Sequence, residues 1–401
     1  MRLKKEYFIL WIGQGVSRLG SWIYLIALNL TVWHLTESPA MVAMLYMIGP
    51  IARTFSSFFV GSIVDRTNKR TILILSDVFR AVIVCLMPFA SSVWLIFGFV
   101  FLTNIAASFT QPSSMFMITK LVAENDRQRF NAINSILSSG SFMIGPALGG
   151  VIIAMSNTSV AMWINSGALL FSAFMMSLLP TITQQLNDQR KMITPAMIRQ
   201  DFQIVWRTMR KQREILTFFI LYSSVLMIAH ALDSQEMSFL KDFHEVSDAS
   251  YGVIVGVTGI GAIVGGVLAA SFVHKLSLRA YIGAGLSLTL VCYTIFYASP
   301  SLPLAIVAFI LLGLFMSFSN TGYTTVYQKS VPPEIMGRFT SSLGLFESIL
   351  QISLTLVIGL CAQWFTIQLA TTLFALLALC LAVVLYRYLA QNKIITEGRG
   401  S

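Results

Sequence analysis

Charge is scarce in this sequence. Only 11% of its 401 residues are Asp, Glu, Lys or Arg, whereas 56% are hydrophobic. A soluble domain carries about 25% charged residues, so a chain of this composition could not cover a water-exposed surface. The composition therefore predicts an integral membrane protein. The net charge of +10 does not indicate a nucleic-acid partner, because the basic residues lie mainly in the connections between apolar runs.

Cysteine is scarce as well, and the motifs of enzymes and metal sites are missing. The four cysteines lie inside apolar runs, without CxxC spacing or a histidine at ligand spacing, which predicts neither a disulfide nor a metal site. The absence of a P-loop excludes an ATP-driven pump, and neither HExxH nor GxSxG occurs. We therefore expect no enzymatic activity, no metal and no cofactor beyond an ion gradient.

Long apolar runs are what the sequence has in abundance. A helix crosses the bilayer core with about 20 consecutive apolar residues. Twelve runs of this size predict an all-α membrane protein with twelve transmembrane helices. They cover approximately 8–34, 39–64, 71–92, 94–118, 130–155, 159–180, 215–240, 250–273, 278–299, 302–325, 338–362 and 365–388.

Lys and Arg concentrate in alternate connections and near both ends of the chain, whereas the opposite connections contain only Lys241 as a basic residue. Basic connections stay in the cytoplasm. The pattern predicts a multi-pass protein of a bacterial cell membrane with both termini in the cytoplasm. The basic connections contain Arg66, Lys69, Arg70, Lys120, Arg127, Arg129, Arg190 to Arg213, Lys275, Arg279, Lys329 and Arg338.

The chain also repeats itself at an offset of 209 residues. One offset shared by separate segments predicts two parallel halves of six spans. We place the first half at 1–180, a cytoplasmic linker at 181–214, the second half at 215–392 and a tail at 393–401. The matching pairs are Lys120 and Lys329, Val122 and Val331, Arg129 and Arg338, Phe130 and Phe339, Arg66 and Lys275, and Arg70 and Arg279.

The linker at 181–214 is the longest polar stretch and contains seven Lys or Arg residues. Apolar residues between Ile198 and Met209 recur at helical spacing, which predicts an amphipathic helix on the cytoplasmic membrane surface. A calmodulin-like or nucleic-acid partner is the alternative interpretation, and we do not favour it.

Two segments carry a family resemblance. Gly61-Ser-Ile-Val-Asp65-Arg66-Thr-Asn-Lys69-Arg70 resembles the loop 2–3 signature of the major facilitator superfamily, with Asn68 where a glycine is usual. Gly145-Pro146-Ala-Leu-Gly149-Gly150 resembles the motif of its exporters and antiporters, with Ser141 where a preceding glycine is usual. Three further segments resemble the macrolide-efflux and enterobactin-exporter branch: Trp11-Ile-Gly13-Gln14-Gly-Val-Ser17, Asp77-Val-Phe-Arg80 and Pro333-Glu334-Ile-Met-Gly337-Arg338.

The resemblance implies roles in conformational gating. Contacts of Asp65 would lock the two halves together on the cytoplasmic side, and the rocking motion would break and remake them. The alternative is that the basic residues of this loop act only as positive-inside charges. Asp77 and Arg80, three residues apart, are either part of the gate or a local ion pair. The gating set is Asp65, Arg66, Lys69, Arg70, Asp77, Arg80, Gly145, Pro146 and Arg338.

Charged residues inside the membrane are costly, and they usually mark a pathway or a partner. Arg18, Arg53, Arg80 and Glu347 fall roughly 13–16 Å from the cytoplasmic ends of their spans, at about 1.5 Å per residue. A carboxylate in a medium of low dielectric constant takes up a proton readily. Glu347 is therefore one candidate proton carrier, unless it pairs with an Arg of the first half.

Asp233 and Glu236 share one face of span 7 and are the other proton candidates. Their alternative is a solvated outer face near Lys241 and His230. Arg18, beside Gln14 and Trp22, is the best cavity-lining cation, or else half of a structural pair. The candidate substrate and coupling set is Arg18, Gln14, Trp22, Arg53, Asp233, Glu236 and Glu347.

Taken with the resemblance, these residues lead us to expect a monomeric transporter in the lipid bilayer that exports small amphipathic molecules by proton antiport. Three Arg against one Glu near mid-membrane favour the alternative of an anionic metabolite, such as a siderophore or a lipid-linked species. A third alternative, a receptor or scaffold that transports nothing, is at odds with the retained gating motif.

Overall fold

A computed structural model describes residues 5–57, 59–60, 63–64, 67–123, 126–182, 212–272, 275–331 and 336–392, and no β-strand occurs among them. A 3-10 turn, Met87–Phe89, extends α3, and a π-helical turn, Ala280–Ala284, precedes α10. The helices are α1 Lys5–Thr36, α2 Pro39–Ser56, α3 Lys69–Leu86, α4 Val93–Leu121, α5 Arg127–Met155, α6 Thr158–Ser177, α7 Arg213–Asp233, α8 Glu236–Asp242, α9 Asp248–Ser271, α10 Gly285–Ala298, α11 Leu302–Ser330, α12 Met336–Trp364 and α13 Ile367–Gln391.

The helices agree with the predicted spans. Eleven of them in the described part of the chain are long and apolar enough to cross a membrane, with α7 and α8 counted as one span, Arg213–Asp242. The remaining predicted span, 39–64, contains α2, Pro39–Ser56. The prediction of an all-α membrane fold is therefore confirmed. The amphipathic helix of the linker falls mainly on 183–211, outside the described residues.

Many large apolar side chains are exposed on the surface of the helices. Leu75, Met115, Ile136, Val267 and Leu373 are each more than half exposed. Large contiguous apolar surfaces are rare on soluble monomers. In a bilayer the acyl chains cover such side chains, so this exposure is the expected surface of a membrane-spanning helix.

The helix boundaries repeat at the offset found in the sequence. The helices α4, α5 and α6 begin at Val93, Arg127 and Thr158. The helices α11, α12 and α13 each begin 209 residues later. The ends of α4 and α5 correspond to the ends of α11 and α12 in the same way, and Pro39 of α2 corresponds to Asp248 of α9. The 209-residue repeat is thus a repeat of helices as well as of residues.

Equivalent helix ends use equivalent hydrogen bonds. Asn157 accepts at 3.0 Å from the N–H of Val160 and caps α6, and its counterpart Thr366 accepts at 3.3 Å from the N–H of Leu369 and caps α13. Such caps satisfy N–H groups that have no partner inside the helix. Asn68, which departs from the family motif, has the same role, since its Oδ1 accepts at 3.0 Å from the N–H of Arg70 and caps α3.

The chain divides into two compact units. The first contains Met1–Glu37, Ile48–Thr194 and Ser247–Gly256, and the second contains Ser38–Met47, Pro195–Val246 and Val257–Ser401. Short pieces of α2 and α9 thus group with the other half of the sequence. The predicted boundaries at 1–180 and 215–392 stay a prediction.

In the first unit, α1 packs on α5 and α6, and α3 packs on α4 and α6. Trp11 stacks on Phe130 at a centroid distance of 5.0 Å, and its Nε1 donates to the Phe130 carbonyl at 3.3 Å. In the second unit, α7 packs on α12 and α13, and α10 packs on α11 and α13. Phe339, the counterpart of Phe130, is buried against Phe219 at 4.9 Å.

The first unit also contains a buried ion pair. Nη1 of Arg80 lies 3.4 Å from Oδ1 of Asp77, one turn away on α3, and the two side chains are 18% and 5% exposed. The two residues therefore form a local ion pair, and their role in gating stays a prediction.

Two glycines of α5 and α9 bring backbones into contact within the first unit. A Cβ on Gly150 would lie 2.7 Å from the Ala249 carbonyl oxygen and 2.8 Å from Cα of Gly252. Real Cβ atoms do not approach backbone this closely, so any larger residue must push the two helices apart. On the neighbouring face of α5, a Cβ on Gly149 would lie 3.3 Å from Cα of Ile23 in α1.

We expect Gly150→Ala to lower the free energy of unfolding by about 1–3 kcal/mol, because the added methyl meets backbone that cannot give way. The matched control is Gly140→Ala on the same helix, where a Cβ meets nothing within 4 Å. Thermal unfolding of the purified protein in detergent measures both. Equal melting temperatures for the two variants would contradict the contact.

We expect Asp77→Asn to destabilise the protein by about 3–5 kcal/mol, because it leaves the charge of Arg80 buried without compensation. Replacing both partners, as Asp77→Leu with Arg80→Met, should be neutral or stabilising, since it removes the desolvation cost with the charges. The same unfolding assay compares the single and double variants. A double variant less stable than Asp77→Asn would show that the pair does more than balance charge.

Candidate functional site

The first unit holds a polar cluster on α1, α4 and α5. Arg18 donates from Nη1 to Oδ1 of Asn134 at 2.8 Å and from Nη2 to Oε1 of Gln14 at 3.4 Å. Gln14 donates in turn from Nε2 to the Ser114 hydroxyl at 2.7 Å. Arg18 is therefore held by neutral oxygens, and no ion pair found among the described residues includes it.

Trp22 lies one turn after Arg18 on α1. Its ring meets Phe142 of α5 edge-on at a centroid distance of 4.8 Å. Gly145 lies against the same tryptophan, and a Cβ on this glycine would be 2.5 Å from Cβ of Trp22. Together with the neighbouring Pro146, the Gly-Pro segment of α5 is thus packed directly beside the Arg18 cluster, which places predicted gating and predicted substrate residues side by side.

Arg53 is the second unbalanced cation of the first unit. It is exposed on α2, one turn after Gly49, where a Cβ would lie 3.5 Å from Nη1 of Arg53 and 3.4 Å from Oδ1 of Asn104. The ion pairs found among the described residues join His34 to Asp248, Arg80 to Asp77 and His230 to Asp233, and none of them includes Arg18 or Arg53.

The second unit holds a different cluster, which shares two of its positions with the cluster of the first unit. Ser223, the counterpart of Gln14, donates to Oε1 of Glu347 at 2.6 Å. Tyr222 stacks on Tyr323, the counterpart of Ser114, at a centroid distance of 4.4 Å, and its hydroxyl lies 3.0 Å from that of Ser319. A carboxylate beside two stacked tyrosines replaces the guanidinium and amides of the first unit.

In the outer part of span 7 the side chain of Asp233 is 33% exposed, so the proton site and the solvated acidic face both stay predictions. Asp233 accepts a hydrogen bond from the hydroxyl of Tyr293, and its Oδ2 lies 3.3 Å from Nδ1 of His230. Oε1 of Glu236 is buried and has no hydrogen-bond partner among the described residues. Asp233 is the last residue of α7, and Glu236 is the first residue of α8.

Only part of the signature loop lies in the described chain. Asp65 and Arg66 are outside it, as is the side chain of Arg338, so their gating role stays a prediction. Lys69 is buried at the start of α3 with its Nζ 5.1 Å from the centroid of the Phe116 ring. Arg70 donates to the Thr181 hydroxyl at 2.7 Å and to the Ser177 carbonyl, so it ties α3 to the end of α6.

Several residues of these clusters were not predicted from the sequence. Asn134, Ser114, Ser223, Tyr323 and Tyr293 are ordinary polar residues in apolar helices, and no motif marks them. The 209-residue offset is the one signal that could have found some of them, because it maps Gln14 and Ser114 onto Ser223 and Tyr323.

Comparisons with known proteins agree with this arrangement. The sequence matches the profile of the Major Facilitator Superfamily over residues 10–349, with a second match over 234–397. An uncharacterised MFS-type transporter of Bacillus subtilis (strain 168), YfiS, is 24% identical over 99% of this chain and 95% of its own. Macrolide efflux protein A of Streptococcus pyogenes is 20% identical, with 86% of each chain covered.

A solved structure shows the same fold. The bacterial homologue of the human lysosomal transporter Spinster, in an inward-facing and occupied conformation, matches with a TM-score of 0.77 at 13% identity and covers 98% of both chains. The family profile covers most of this sequence. The chain therefore belongs to the major facilitator superfamily, as its loop motifs predicted, and it is a multi-pass membrane transporter.

Proposed function

We propose that this transporter exports small amphipathic molecules by proton antiport with alternating access, in the manner of multidrug and macrolide efflux. The observation that carries the proposal is the setting of Glu347, a carboxylate inside a span whose hydrogen-bond donor is a serine hydroxyl. The export direction is supported by the Gly145-Pro146 segment and by the similarity to macrolide efflux protein A. We further propose a monomer with both termini in the cytoplasm, from the Lys and Arg pattern.

The Glu347 pair suits a group that gains and loses a proton. Glu347 lies about 17 Å along α12 from its first residue, at about 1.5 Å per residue. A serine hydroxyl donates to a carboxylate and accepts from a protonated carboxyl, so Ser223 satisfies Glu347 in both states. No ion pair found among the described residues includes Glu347. The negative charge of ionised Glu347 is therefore balanced most directly by a proton or by a substrate.

The clusters also provide surfaces that suit amphipathic molecules. Trp22 and Phe142 present aromatic surface beside the Arg18 guanidinium, and Tyr222 and Tyr323 present it beside Glu347. Binding pockets are mostly apolar and aromatic with a few placed polar groups. Each unit thus supplies an aromatic wall and one charged group.

We expect Glu347→Gln to abolish export against a substrate gradient while preserving downhill counterflow, because glutamine keeps the hydrogen bond of Ser223 but carries no exchangeable proton. The measurement is substrate transport in proteoliposomes with and without an imposed pH gradient. The control is Glu245→Gln, which removes an exposed carboxylate between α8 and α9. Uphill export by Glu347→Gln at the rate of the unmodified protein would exclude Glu347 as the proton carrier.

A second candidate function is export of an anionic metabolite, such as a siderophore or a lipid-linked species. It is favoured by the two first-unit cations, Arg18 and Arg53, which have no carboxylate partner among the described residues. An anionic substrate would supply the missing counter-charge. Arg18 already points its two terminal nitrogens at neutral oxygens, which a bound carboxylate or phosphate could replace.

If the substrate is anionic, Arg18→Gln and Arg53→Gln should each weaken its binding about tenfold to a hundredfold, since a hydrogen bond to a charged group contributes about 1.5–3 kcal/mol. Binding of candidate anions to the purified protein measures the change. Arg213→Gln, at the exposed start of α7, is the control. Unchanged binding of every anionic candidate by both variants would contradict this function.

A further inference from the structure

The helix α9 has its start in the first unit and its remainder in the second. The division between the units falls after Gly256, inside this helix. Before that point, Asn29 of α1 donates from Nδ2 to the hydroxyl of Tyr251 at 3.3 Å, beside the glycine contact of α5 and α9. Beyond it, the hydroxyl of Ser317 in α11 donates to the Ala262 carbonyl at 2.8 Å. Alternating access by rigid-body movement therefore requires that the start of α9 leaves α1 and α5, or that the helix bends.

An ion pair joins the start of α9 to the end of α1. Nε2 of His34, in the last turn of α1, lies 3.3 Å from Oδ2 of Asp248, the first residue of α9, and the two side chains are 49% and 29% exposed. The end of a helix favours a positive charge, and the start of a helix favours a negative one. Protonated His34 and ionised Asp248 therefore each suit their own helix end, and they attract each other across the contact.

The charge at this contact depends on pH through the histidine, because histidine is the side-chain type that changes charge between pH 5 and 8. Its ring lines a cavity of about 220 Å³ and is half exposed, so water reaches it. The cavity residues that α6 and the turn after α3 contribute have no titratable side chain: Met87, Pro88, Ala90, Thr158, Ser159 and Met162. The end of α5, residues 149–155, has none either.

The chain on either side of the pair carries further charged and titratable groups. They are Glu37 after α1, and Lys241, Asp242, His244 and Glu245 before α9. His244 is the second histidine on this side, and its ring packs edge-on against Phe239 and Phe243. His34 is therefore the histidine whose protonation acts directly between α1 and α9.

The equivalent helix start in the second unit packs without an ion pair of this kind. In the short piece of α2 that groups with the second unit, a Cβ on Gly359 of α12 would lie 2.7 Å from Cβ of Ala43. At the 209-residue offset, the counterparts of the histidine and the aspartate are Phe243 and Pro39. Close packing of such a helix start thus does not require a titratable pair, so the pair adds a dependence on pH to one of two equivalent contacts.

We propose that His34 and Asp248 form a pH-sensitive latch, which holds the start of α9 on α1 when His34 is protonated and releases it more readily when His34 is neutral. The latch rests on the proposed alternating access, but neither on the substrate nor on Glu347 as the proton carrier. With both termini in the cytoplasm, as proposed above, the latch faces the outside. Acid outside the cell would then engage it.

The test measures how the start of α9 moves with pH in the full-length protein in lipid nanodiscs. Spin labels are attached at Ser91→Cys, in the exposed connection after α3, and at Ser250→Cys on α9, with the four native cysteines replaced by alanine. Electron paramagnetic resonance gives the distance between the labels. The ratio of docked to released protein should rise about twofold to fivefold between pH 7.5 and pH 5.5, as expected for a partly exposed ion pair.

Hydrogen exchange provides a second readout on the protein with its native cysteines. After correction for the intrinsic effect of pH on exchange, the amides of residues 248–256 should be better protected at pH 5.5 than at pH 7.5. This measurement decides the question if the labelled protein does not fold.

Two variants of His34 separate charge from packing. His34→Gln has no charge at either pH, so the docked fraction should no longer change with pH. His34→Lys keeps a positive charge, so the helix start should stay docked at both pH values. The matched control is His230→Gln, which removes another histidine–aspartate pair of the same 3.3 Å length, but one that lies within α7. This control and Glu347→Gln should both keep the pH response.

The proposal fails if pH leaves the docked fraction of the protein with native His34 unchanged, if His34→Gln keeps the full response, or if His230→Gln abolishes it. A response that is lost in Glu347→Gln and kept in His34→Gln would assign the pH dependence to Glu347 and would overturn the latch as well. None of these measurements uses a substrate or follows export. A failed latch and a failed export assay are therefore separate results.

Discussion

The structure depends on the requirement that every backbone polar group inside the bilayer finds a partner in the protein. Helices meet this requirement with local bonds, which is why most of the described chain is helical. Side chains supply the missing partners at some of the positions where the helical hydrogen bonds end. Asn68, Asn157 and Thr366 do so at helix starts, and the Ser234 hydroxyl does so between α7 and α8.

The repeat explains both what the two halves share and where they differ. Equivalent helices begin at equivalent residues, and Phe130 and Phe339 are buried in the same way. Near Gln14 and its counterpart Ser223, however, the two halves differ. The first half carries the Arg18 guanidinium, which donates to side-chain amides, and the second carries the Glu347 carboxylate, which accepts from Ser223. Packing positions are thus retained across the repeat, whereas the polar residues inside the spans have diverged.

The sequence was sufficient for the fold and the family, because the period and length of apolar runs and the loop motifs are local properties. The partners of the site residues were not predictable in this way. Arg18 and Asn134 are 116 residues apart, and Ser223 and Glu347 are 124 apart, so only the packing of helices brings them together. Asp77 and Arg80 are the exception, since they lie one turn apart and their pairing could be predicted from spacing.

The distribution of unpaired charge limits what the transporter can carry. A buried charge without a partner is costly, so a protein retains it where a ligand supplies the counter-charge for part of the cycle. Arg18 in the first unit and Glu347 in the second are each partly buried, and no ion pair found among the described residues includes either of them. Under the proposed function, an anionic or strongly polar group of the substrate would balance Arg18, and a proton would balance Glu347.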